Sequence, residues 1–225
     1  MKNEYLAIIP ARKNSKRIKN KNLKKINGKT LIDRTIIEAK KCKKISQICL
    51  STNIDQLFNL QDKSVFVLKR PNNLSTNNSS TEMAVKHCIN FYLEKKKIKF
   101  KNIILLQPTS PFRTKFDIEN AINIFEKDKA DSLFSGTKGK LFIWKKRKNL
   151  YSSNFNHKKR QRTQDMNTDF IENGAIFIFN IKKYLKTNNR LFGKISFSEM
   201  NLLNSFEIDD YNDLRIAKKI GKIIL

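Results

Sequence analysis

Six cations stand close together near the start of the sequence, directly after a short apolar stretch. Residues 6–9 are apolar, Pro10 follows, and the loop behind it carries the cationic side chains Arg12, Lys13, Lys16, Arg17, Lys19 and Lys21. A loop beyond the carboxyl end of a buried strand can present backbone N–H groups and side chains to a ligand. Several cations in one loop favour a triphosphate over a single carboxylate. Charge alone does not decide this, because a lysine-rich chain must also place lysines in its loops.

A second candidate segment, residues 107–113, follows another short apolar stretch and reads Gln-Pro-Thr-Ser-Pro-Phe-Arg. Its two prolines fix a rigid turn, while Gln107, Thr109 and Ser110 offer uncharged hydrogen-bonding groups. Such a loop suits a neutral polyol or amide ligand. Without other evidence, a plain turn into the helix predicted to begin near Lys115 explains the segment better.

Two carboxylates near the carboxyl end of the sequence have a spacing that suits a metal. Glu207 and Asp209 lie two residues apart on a segment predicted to be extended. Side chains at that spacing point to the same side of the chain, as ligands of a divalent metal carried in with phosphates must. The alternative is that Asp209 or Asp210 caps the helix predicted to start at Tyr211. Both can hold, because the cap and the metal ligand need not be the same carboxylate.

A basic segment, residues 158–162, precedes the sequence Glu-Asn-Gly-Ala at 172–175. Arginine pairs bidentately with carboxylates, so Arg160 and Arg162 could hold an acidic substrate. A solvated surface accounts for the same charges equally well.

Histidine chemistry gains no support from the sequence. His87 and His157 are the only histidines, too few and too far apart for a zinc site, and no Ser/His/Asp or Cys/His arrangement is evident. What remains is an inventory of cations, a metal and neutral hydrogen-bonding groups. That inventory suits nucleotidyl transfer, in which catalysis is mostly alignment and charge stabilisation at phosphorus.

Alternating strand-like and helix-like patterns must position these groups. The predicted strands are residues 5–9, 45–51, 65–68, 103–106, 175–179 and 195–197. The predicted helices are residues 31–42, 54–60, 81–93, 116–125, 181–185 and 211–220. In helix 81–93 the predicted inward stripe is Met83, Ala84, His87, Cys88, Phe91 and Tyr92. Repeated βα units of this kind predict an α/β fold with a mostly parallel sheet flanked by helices.

The alternation changes near Ser132. Residues 136–168 are rich in aromatics and cations and predict a hairpin-like excursion from the sheet, with strands near 141–144 and 151–155. Exposed aromatics there could pack under the core or against a second copy of the chain. We expect a single domain over residues 1–225, with this excursion as the candidate subdomain.

The charge of the chain suggests a class of partner that its distribution disfavours. The sequence has 47 Lys+Arg against 20 Asp+Glu, a formal +27, which suggests nucleic acid or an anionic surface. The lysines are spread along the whole chain, which favours a general drift in residue usage and argues against nucleic acid as the partner.

The cysteines and the apolar runs bear on the compartment. Cys42, Cys49 and Cys88 lack metal-type spacing and predict buried free thiols in a reducing cytosol. The sequence shows no signal peptide and no apolar run of membrane length. We therefore expect a cytoplasmic protein without a membrane partner.

The sequence resembles the CMP-sialic acid synthetases (acylneuraminate cytidylyltransferases) over about residues 5–216. The resemblance rests on five blocks: IIPARKNSKRIKNKN, Arg70-Pro71 with the Ser/Thr-rich loop after it, LLQPTSPFRT, RTQD with ENGAIF, and SFEIDDYNDL. It implies a Rossmann-like α/β nucleotidyltransferase fold with a small β-rich dimerisation excursion, and hence a homodimer. It also implies the reaction of CTP with a nine-carbon α-keto acid sugar, with Mg²⁺, to give a CMP-sugar and pyrophosphate for cell-surface glycan synthesis.

The resemblance assigns roles to individual residues of this sequence. Those implied to contact the nucleotide are Arg12, Ser15, Lys16, Lys21, Asn22, Arg70, Ser80 and Thr81. Those implied to contact the sugar are Gln107, Arg160, Arg162, Asn173, Phe177, Leu191 and Phe192. Glu207 and Asp209 would hold the metal, and Arg12, Lys21 and Asp209 would carry catalysis. As a loop residue, Lys21 is expected to be exposed.

Departures from the family's pattern bear on the site. Lys13-Asn14 and Lys19-Asn20 stand where relatives often have pairs containing glycine, and asparagine adopts left-handed backbone angles more easily than most residues. Lys13 adds charge and could restrict the loop. Thr163 stands where many relatives have another arginine, and Glu207 replaces a more usual aspartate and reaches further.

The sugar stays open among N-acetylneuraminate, its deaminated form, legionaminate and pseudaminate. Asn173-Gly174-Ala175 fits the sialate or legionaminate type better than the pseudaminate type. Lys21-Asn22 stands where enzymes for the eight-carbon sugar 3-deoxy-manno-octulosonate usually have Lys-Pro, which argues against that substrate. The alternatives to an active enzyme are a basic α/β protein that binds RNA or a membrane surface, and an inactive relative with an altered loop.

Overall fold

The computed structural model describes residues 4–13 and 15–224, so the prediction for Asn14 lies outside the described residues. The strands are β1 (Tyr5–Ala11), β2 (Lys25–Ile26), β3 (Lys29–Thr30), β4 (Ile45–Thr52), β5 (Val65–Lys69), β6 (Asn102–Leu106), β7 (Ser132–Gly139), β8 (Trp144–Arg147), β9 (Leu150–Ser153), β10 (Asp169–Asn180) and β11 (Ile195–Glu199). The α-helices are α1 (Leu31–Lys41), α2 (Thr81–Asn90), α3 (Lys115–Lys127), α4 (Ile181–Thr187) and α5 (Tyr211–Ile224).

A seven-stranded sheet forms the centre of the molecule, in the order β11-β7-β10-β6-β1-β4-β5. The apolar strand β1 lies in its interior and pairs in parallel with both β4 and β6. Of the sheet strands that the structure describes, β10 runs antiparallel to both of its neighbours, β6 and β7. The predicted mostly parallel sheet is confirmed.

Helices cover both faces of the sheet, as a parallel sheet requires. On one face, Ala7 and Ile9 of β1 pack in a cluster with Ile36 of α1 and Ile122 of α3. On the other face, Leu6 and Ile8 belong to a cluster with Val85 and Cys88 of α2 and Tyr184 of α4. Alternate residues of one strand therefore face the two layers. The buried thiols predicted at the three cysteines are confirmed.

The carboxyl-terminal helix α5 supports the cationic loop. Leu214 and Ala217 of α5 share a buried cluster with Ile18 of that loop and with Phe112 and Ile208. This packing brings three segments that are far apart in sequence to one edge of the sheet.

Strand β7 was not predicted, because its sequence SLFSGTKG has no continuous apolar run. Ser132 and Ser135 are nevertheless buried, because their hydroxyl groups form hydrogen bonds with residues that are distant in sequence. Ser132 donates to the carbonyl of Phe192 at 2.8 Å, and Ser135 donates to Oδ1 of Asn173 at 2.7 Å. A period-based prediction cannot recover buried hydroxyls whose partners are distant in sequence.

Several predicted boundaries were wrong. The helix predicted over 54–60 is a single 3-10 turn, Asp55–Leu57. The helix predicted over 81–93 is α-helical to Asn90 and ends in a π-turn over Phe91–Lys95. Met83, predicted to face inward, is 40% exposed, because Ala84, Val85, Cys88 and Ile89 form the buried stripe.

Residues 140–168 leave the seven-stranded sheet, so the excursion begins four residues later than the predicted 136–168, because residues 136–139 pair within the sheet as the end of β7. The strands predicted near 141–144 and 151–155 are displaced to Trp144–Arg147 and Leu150–Ser153. Strands β8 and β9 pair with each other as a small antiparallel hairpin. Trp144, Leu150 and Tyr151 on this hairpin are exposed. None of the helices within 4–13 and 15–224 combines the length and apolar composition needed to span a membrane.

Candidate active-site cleft

A cleft of about 330 Å³ lies beyond the carboxyl ends of β1 and β6. All eight residues assigned above to the nucleotide line it, together with Gln107 and Asp209. Segments from four parts of the sequence therefore meet at one site. A larger cavity of about 850 Å³ lies at the opposite end of the strands, where β1 and β6 begin, and none of the predicted site residues lines it.

The loop of the first strand is held in place by its own polar groups. Asn22 is buried and donates from Nδ2 to the carbonyl of Arg12 at 3.2 Å. Arg12 donates to the carbonyl of Thr76 at 2.6 Å, which ties this loop to the Ser/Thr-rich segment before α2. Asn20 has φ 54°, so the left-handed conformation expected of it is observed.

Lys13 does not add its charge to the cleft. Its Nζ pairs with Asp55 at 3.0 Å, and its backbone N–H donates to Oδ1 of Asn53 at 2.8 Å. These contacts anchor the loop at a point outside the cleft.

Arg70 and the amino end of α2 form the opposite wall of the cleft. Arg70 is 5% exposed, and its guanidinium donates to Oγ and to the carbonyl of Ser51 at 3.0 and 2.6 Å. Burial lowers the pKa of Arg70 from its usual value. Ser80 caps α2 by accepting from the backbone N–H of Met83, and Thr81 opens the helix. Helix amino ends favour anions, so this wall suits a negatively charged ligand.

Gln107, Gly174 and Glu207 converge beside the nucleotide residues. Gly174 has φ +66°, and a Cβ at this position would lie 3.4 Å from Nε2 of Gln107 and 3.4 Å from Oε1 of Glu207. Arg113 holds this group together, because its NH1 donates to the carbonyls of Gln107 at 2.9 Å and Ala175 at 2.8 Å.

Asn173 fixes the conformation of the turn at Gly174 through hydrogen bonds of its side chain. Its Oδ1 accepts from Ser135 Oγ at 2.7 Å and from the backbone N–H of Ala175 at 3.0 Å, while Nδ2 donates to Ser205 Oγ at 2.9 Å. The side chain is thus engaged with protein groups, and a direct contact with substrate stays a prediction.

The three apolar residues assigned to the sugar lie together. Phe177 is buried in the cluster under α2 and α4, and Leu191 and Phe192 pack against the same cluster. Arg190, which the sequence interpretation did not include, covers the Phe177 ring at 4.8 Å and pairs with Glu82 at 2.6 Å. The pair connects the first turn of α2 to this apolar surface.

The two carboxylates differ in their surroundings. Glu207 accepts from Thr109 Oγ1 at 3.2 Å, and burial, with a smaller contribution from Asp209, raises its pKa above the usual value. Asp209 pairs with Arg17 at 3.1 Å and with Lys21 Nζ at 3.5 Å. The part of the chain that the structure describes has no group of three or more His, Cys, Asp or Glu side chains suited to hold a metal alone.

Arg160 and Arg162 do not line the cleft in this chain. The Arg160 guanidinium stacks on the Phe142 ring at 3.9 Å, and Arg162 pairs with Asp165 at 2.8 Å. Both residues belong to the excursion. Within one chain they do not reach the cleft, so their contact with the sugar stays a prediction.

Three polar cleft residues received no role from the resemblance: Arg17, Ser79 and Thr109. Arg17 and Thr109 belong to motifs that were singled out, but nothing in their spacing showed which members of each motif face the cleft. Ser79 lies in the Ser/Thr-rich segment, whose composition is uniform.

Comparison with known proteins bears on the family and the fold of this chain. A protein-family model described as cytidylyltransferase matches residues 6–220. The chain is 30% identical to an N-acylneuraminate cytidylyltransferase of Escherichia coli, over 96% of this chain and 52% of that protein. It is 28% identical to a pseudaminic acid cytidylyltransferase of Campylobacter jejuni, over 99% of this chain and 97% of that protein. The chain thus spans about half the length of the E. coli relative.

A solved structure shares the fold over the whole chain. A CMP:2-keto-3-deoxy-manno-octonic acid synthetase complexed with CTP matches with a TM-score of 0.69 and 14% identity, covering 99% of this chain and 100% of that one. At 14% identity the match shows the fold alone, and the predicted Rossmann-like nucleotidyltransferase architecture is confirmed.

Proposed function

The chain belongs to the cytidylyltransferase family, and on that basis we propose that it joins CTP and a nonulosonic acid to give a CMP-sugar and pyrophosphate. The observation that carries the proposal is the single cleft lined by the eight residues assigned to the nucleotide, with Gln107 and Asp209 beside them. The names of the Escherichia coli and Campylobacter relatives support a sugar of the sialic type.

The chemistry is an in-line displacement at the α-phosphorus of CTP. The sugar's anomeric hydroxyl oxygen bonds to that phosphorus, the bond to the pyrophosphate oxygen breaks, and the hydroxyl proton is released. Arg12, Lys16 and Lys21 offset the charge of the phosphates, while Arg70, Ser80 and Thr81 hold the rest of the nucleotide. Catalysis then consists of alignment and of charge stabilisation by cations that are already fixed in position.

Arg12 and Lys21 are suited to this role because each is tethered. Arg12 donates to the Thr76 carbonyl, and Lys21 Nζ donates to the Ile208 carbonyl at 2.8 Å. A tethered cation loses less conformational entropy when a phosphate arrives than a free side chain does.

The carboxylates fit a magnesium ion that enters with the triphosphate. Mg²⁺ is commonly held by one or two carboxylates together with substrate phosphates, so a pair of protein ligands suffices. Glu207 and Asp209 supply that pair, and Asp209 already attracts Arg17 and Lys21. When bound, the ion would neutralise charge on the leaving pyrophosphate.

Asp209→Asn should raise the Mg²⁺ concentration needed for half-maximal pyrophosphate release about tenfold or more, because the neutral amide is a poorer ligand. Asp210→Asn is the matched control, since Asp210 accepts from the N–H of Asn212 and of Asp213 and an amide oxygen can also cap. Equal Mg²⁺ dependence in the two variants would remove Asp209 from the metal site.

On the sugar side, we assign Gln107 to hydrogen bonds with hydroxyl groups and the surface of Phe177, Leu191 and Phe192 to the acyl group. Arg160 and Arg162 remain our candidates for the sugar carboxylate. We also propose a cytoplasmic homodimer that associates through the exposed excursion, Trp144–Arg147 and Leu150–Ser153.

The deciding experiment is a substrate panel. Purified chain is supplied with CTP, Mg²⁺ and in turn N-acetylneuraminate, its deaminated form, legionaminate and pseudaminate, and pyrophosphate release is measured. We expect release with at least one sugar, and none when CTP, Mg²⁺ or sugar is omitted. A folded sample that releases no pyrophosphate with any of these sugars would contradict the proposal and favour the inactive relative.

A further inference from the structure

A second cationic cavity lies between α1 and the turn that leads from residue 107 to α3. It has a volume of about 320 Å³, and none of its lining residues lines the nucleotide cleft. Four of them are cations, namely Lys29, Arg34, Lys41 and Arg113, against a single carboxylate, Glu38. The cavity is therefore a separate site with its own excess of positive charge.

Arg113 is the innermost of these cations. It is 3% exposed, and its NH1 donates to two backbone carbonyls, those of Gln107 and Ala175. Its Nε has no hydrogen-bond partner among the described residues. Arg34 resembles it, since Arg34 donates to the Ile26 carbonyl while its Nε is also buried without a partner in the described chain. Two arginines that line the same cavity thus each keep a buried N–H donor that the described protein atoms do not use.

The nearby carboxylates are committed to other groups. Glu38 accepts from Lys41 Nζ at 2.5 Å and from the backbone N–H of Lys115 at 2.8 Å. Asp117 accepts from the backbone N–H and from Oγ1 of Thr114, both at 2.8 Å, as part of the cap of α3. No salt bridge within 4.0 Å reaches Arg113 among residues 4–13 and 15–224.

A buried guanidinium without a direct counter-charge is costly. Burial accordingly lowers the pKa of Arg113 to about 10, and the distant carboxylates of Asp117 and Glu38 oppose this shift. Arg113 nevertheless remains charged at neutral pH. An anion with two or more oxygens would offset its charge and match the planar donors of a guanidinium.

We propose that this cavity binds a small oxyanion, a phosphate or a carboxylate, between Arg113 and Arg34, with Lys29 and Lys41 at its mouth. The volume leaves room for a small organic group attached to the oxyanion. Because Arg113 also holds the carbonyl of Gln107, a bound anion would stabilise the 107–113 turn that forms one wall of the active-site cleft.

The test is a calorimetric titration of inorganic phosphate, and separately of malonate, into the folded chain at fixed ionic strength. It is done with the cleft blocked by saturating CTP, without metal or sugar, and repeated without CTP. We expect one anion per chain at a site that persists when CTP is present. The tighter of the two probes identifies the class of oxyanion.

Lys29→Gln/Lys41→Gln should raise the phosphate Kd at least tenfold, since it removes two charges from the mouth of the cavity. Both lysines are exposed, and the surface ion pair lost between Lys41 and Glu38 contributes at most about 1 kcal/mol, so we expect the variant to keep its fold. The matched control, Lys43→Gln/Lys127→Gln, removes two lysines that are also exposed but do not line the cavity, and should leave the Kd within twofold. A wild-type chain with no saturable anion binding would overturn the proposal, as would equal Kd values for the two double variants.

A melting experiment gives a second readout. Phosphate should raise the Tm of the wild type and of the control variant, and should not raise that of Lys29→Gln/Lys41→Gln. Neither measurement needs turnover, so a chain that binds the anion but releases no pyrophosphate would sink the proposed function and leave this inference standing.

Discussion

At the scale of one residue, Lys21 shows how the fold gives a loop cation a structural contact as well as a charge. The sequence interpretation expected an exposed lysine, but its side chain is only 14% exposed. Its Nζ donates to the Ile208 carbonyl and approaches Asp209, a residue 188 positions away. Lys21 therefore links the phosphate loop to the carboxylate segment, in addition to carrying charge.

Lys21→Ala should lower kcat/KM for CTP about 100-fold, on the order of the loss seen when one fixed charge-stabilising group is removed. The free energy of unfolding should fall by only about 1 kcal/mol, the usual worth of one hydrogen bond. Pyrophosphate release and urea unfolding measure the two effects. Lys19→Ala, an exposed loop lysine outside the cleft, should change neither. If Lys21→Ala leaves kcat/KM unchanged, Lys21 is not a phosphate ligand.

Glu207 should make the unfolding free energy depend on pH in the absence of metal. Its pKa is raised in the folded state, mainly by burial, so the folded chain holds this proton at a higher pH than the unfolded chain does. Stability therefore falls as pH rises from the usual glutamate pKa through the folded value. Glu207→Gln, which cannot ionise, should be more stable than the wild type at pH 7.5, and this gain should disappear near pH 4. Urea unfolding at both pH values checks the sign, and a glutamine variant that is less stable at pH 7.5 contradicts it.

At the scale of secondary-structure elements, the site depends on where two strands end. Strand β6 ends at Leu106, directly before the Gln107 turn, and antiparallel β10 passes beside it with Ile176 opposite Leu106. Gly174 therefore lies next to Gln107, and Arg113 bonds to both chain segments. Strand pairing and one buried arginine together set the distance between the turn and Glu207.

Gly174→Ala should lower both stability and turnover. At φ +66° any side chain is strained by about 1 kcal/mol, and the new Cβ would be in van der Waals contact with Gln107 and Glu207 at 3.4 Å, so relief of the strain would displace both side chains. Gly28→Ala is the matched control, because Gly28 has φ +75° and nothing within 4 Å of the added Cβ. We expect similar losses of unfolding free energy in the two variants and a loss of kcat/KM in Gly174→Ala alone. Equal turnover in both would mean that the close contact is unimportant.

At the scale of the whole molecule, the positive charge is spread over the chain, whereas the excursion carries several exposed apolar side chains. The +27 charge is distributed over the chain, and the cleft uses only a few of the cations. The excursion instead concentrates exposed apolar side chains, with Leu150 77% and Tyr151 64% exposed. Apolar surface of that kind on a hairpin outside the main sheet is the basis on which we propose association with a second copy of the chain.

Leu150→Asp/Tyr151→Asp should convert a dimer into a monomer, because two buried charges at an interface are costly. Light scattering should give twice the chain mass of 26.4 kDa for the wild type and a single chain mass for the variant. Leu202→Asp changes a residue that is 80% exposed on a turn outside the excursion and should leave the mass unchanged. A monomeric wild type would contradict the proposed homodimer.

Local sequence patterns predicted most of the secondary structure correctly. The apolar run of β1, the helical spacing of α1 and α3 and the short strand β6 follow from sequence periodicity and end at recognisable turns. Strand β7 and the first half of β10 did not follow, since they form by pairing with each other and residues 169–172 of β10 are mostly exposed. The same holds for the inward face of α2, where the position of the sheet decides that Met83 faces out.

The sequence by itself determined which residues are candidates for a nucleotide site, because cations, amides and paired carboxylates stand in short motifs after apolar strands and these motifs resemble those of the cytidylyltransferases. The tertiary structure alone decided which of them meet. It turned Lys13 away to Asp55, brought Arg17 and Lys21 to Asp209, and kept Arg160 on the excursion. The physical reason is that these contacts join groups brought together by strand order and helix packing, which depend on the whole chain and not on any local pattern.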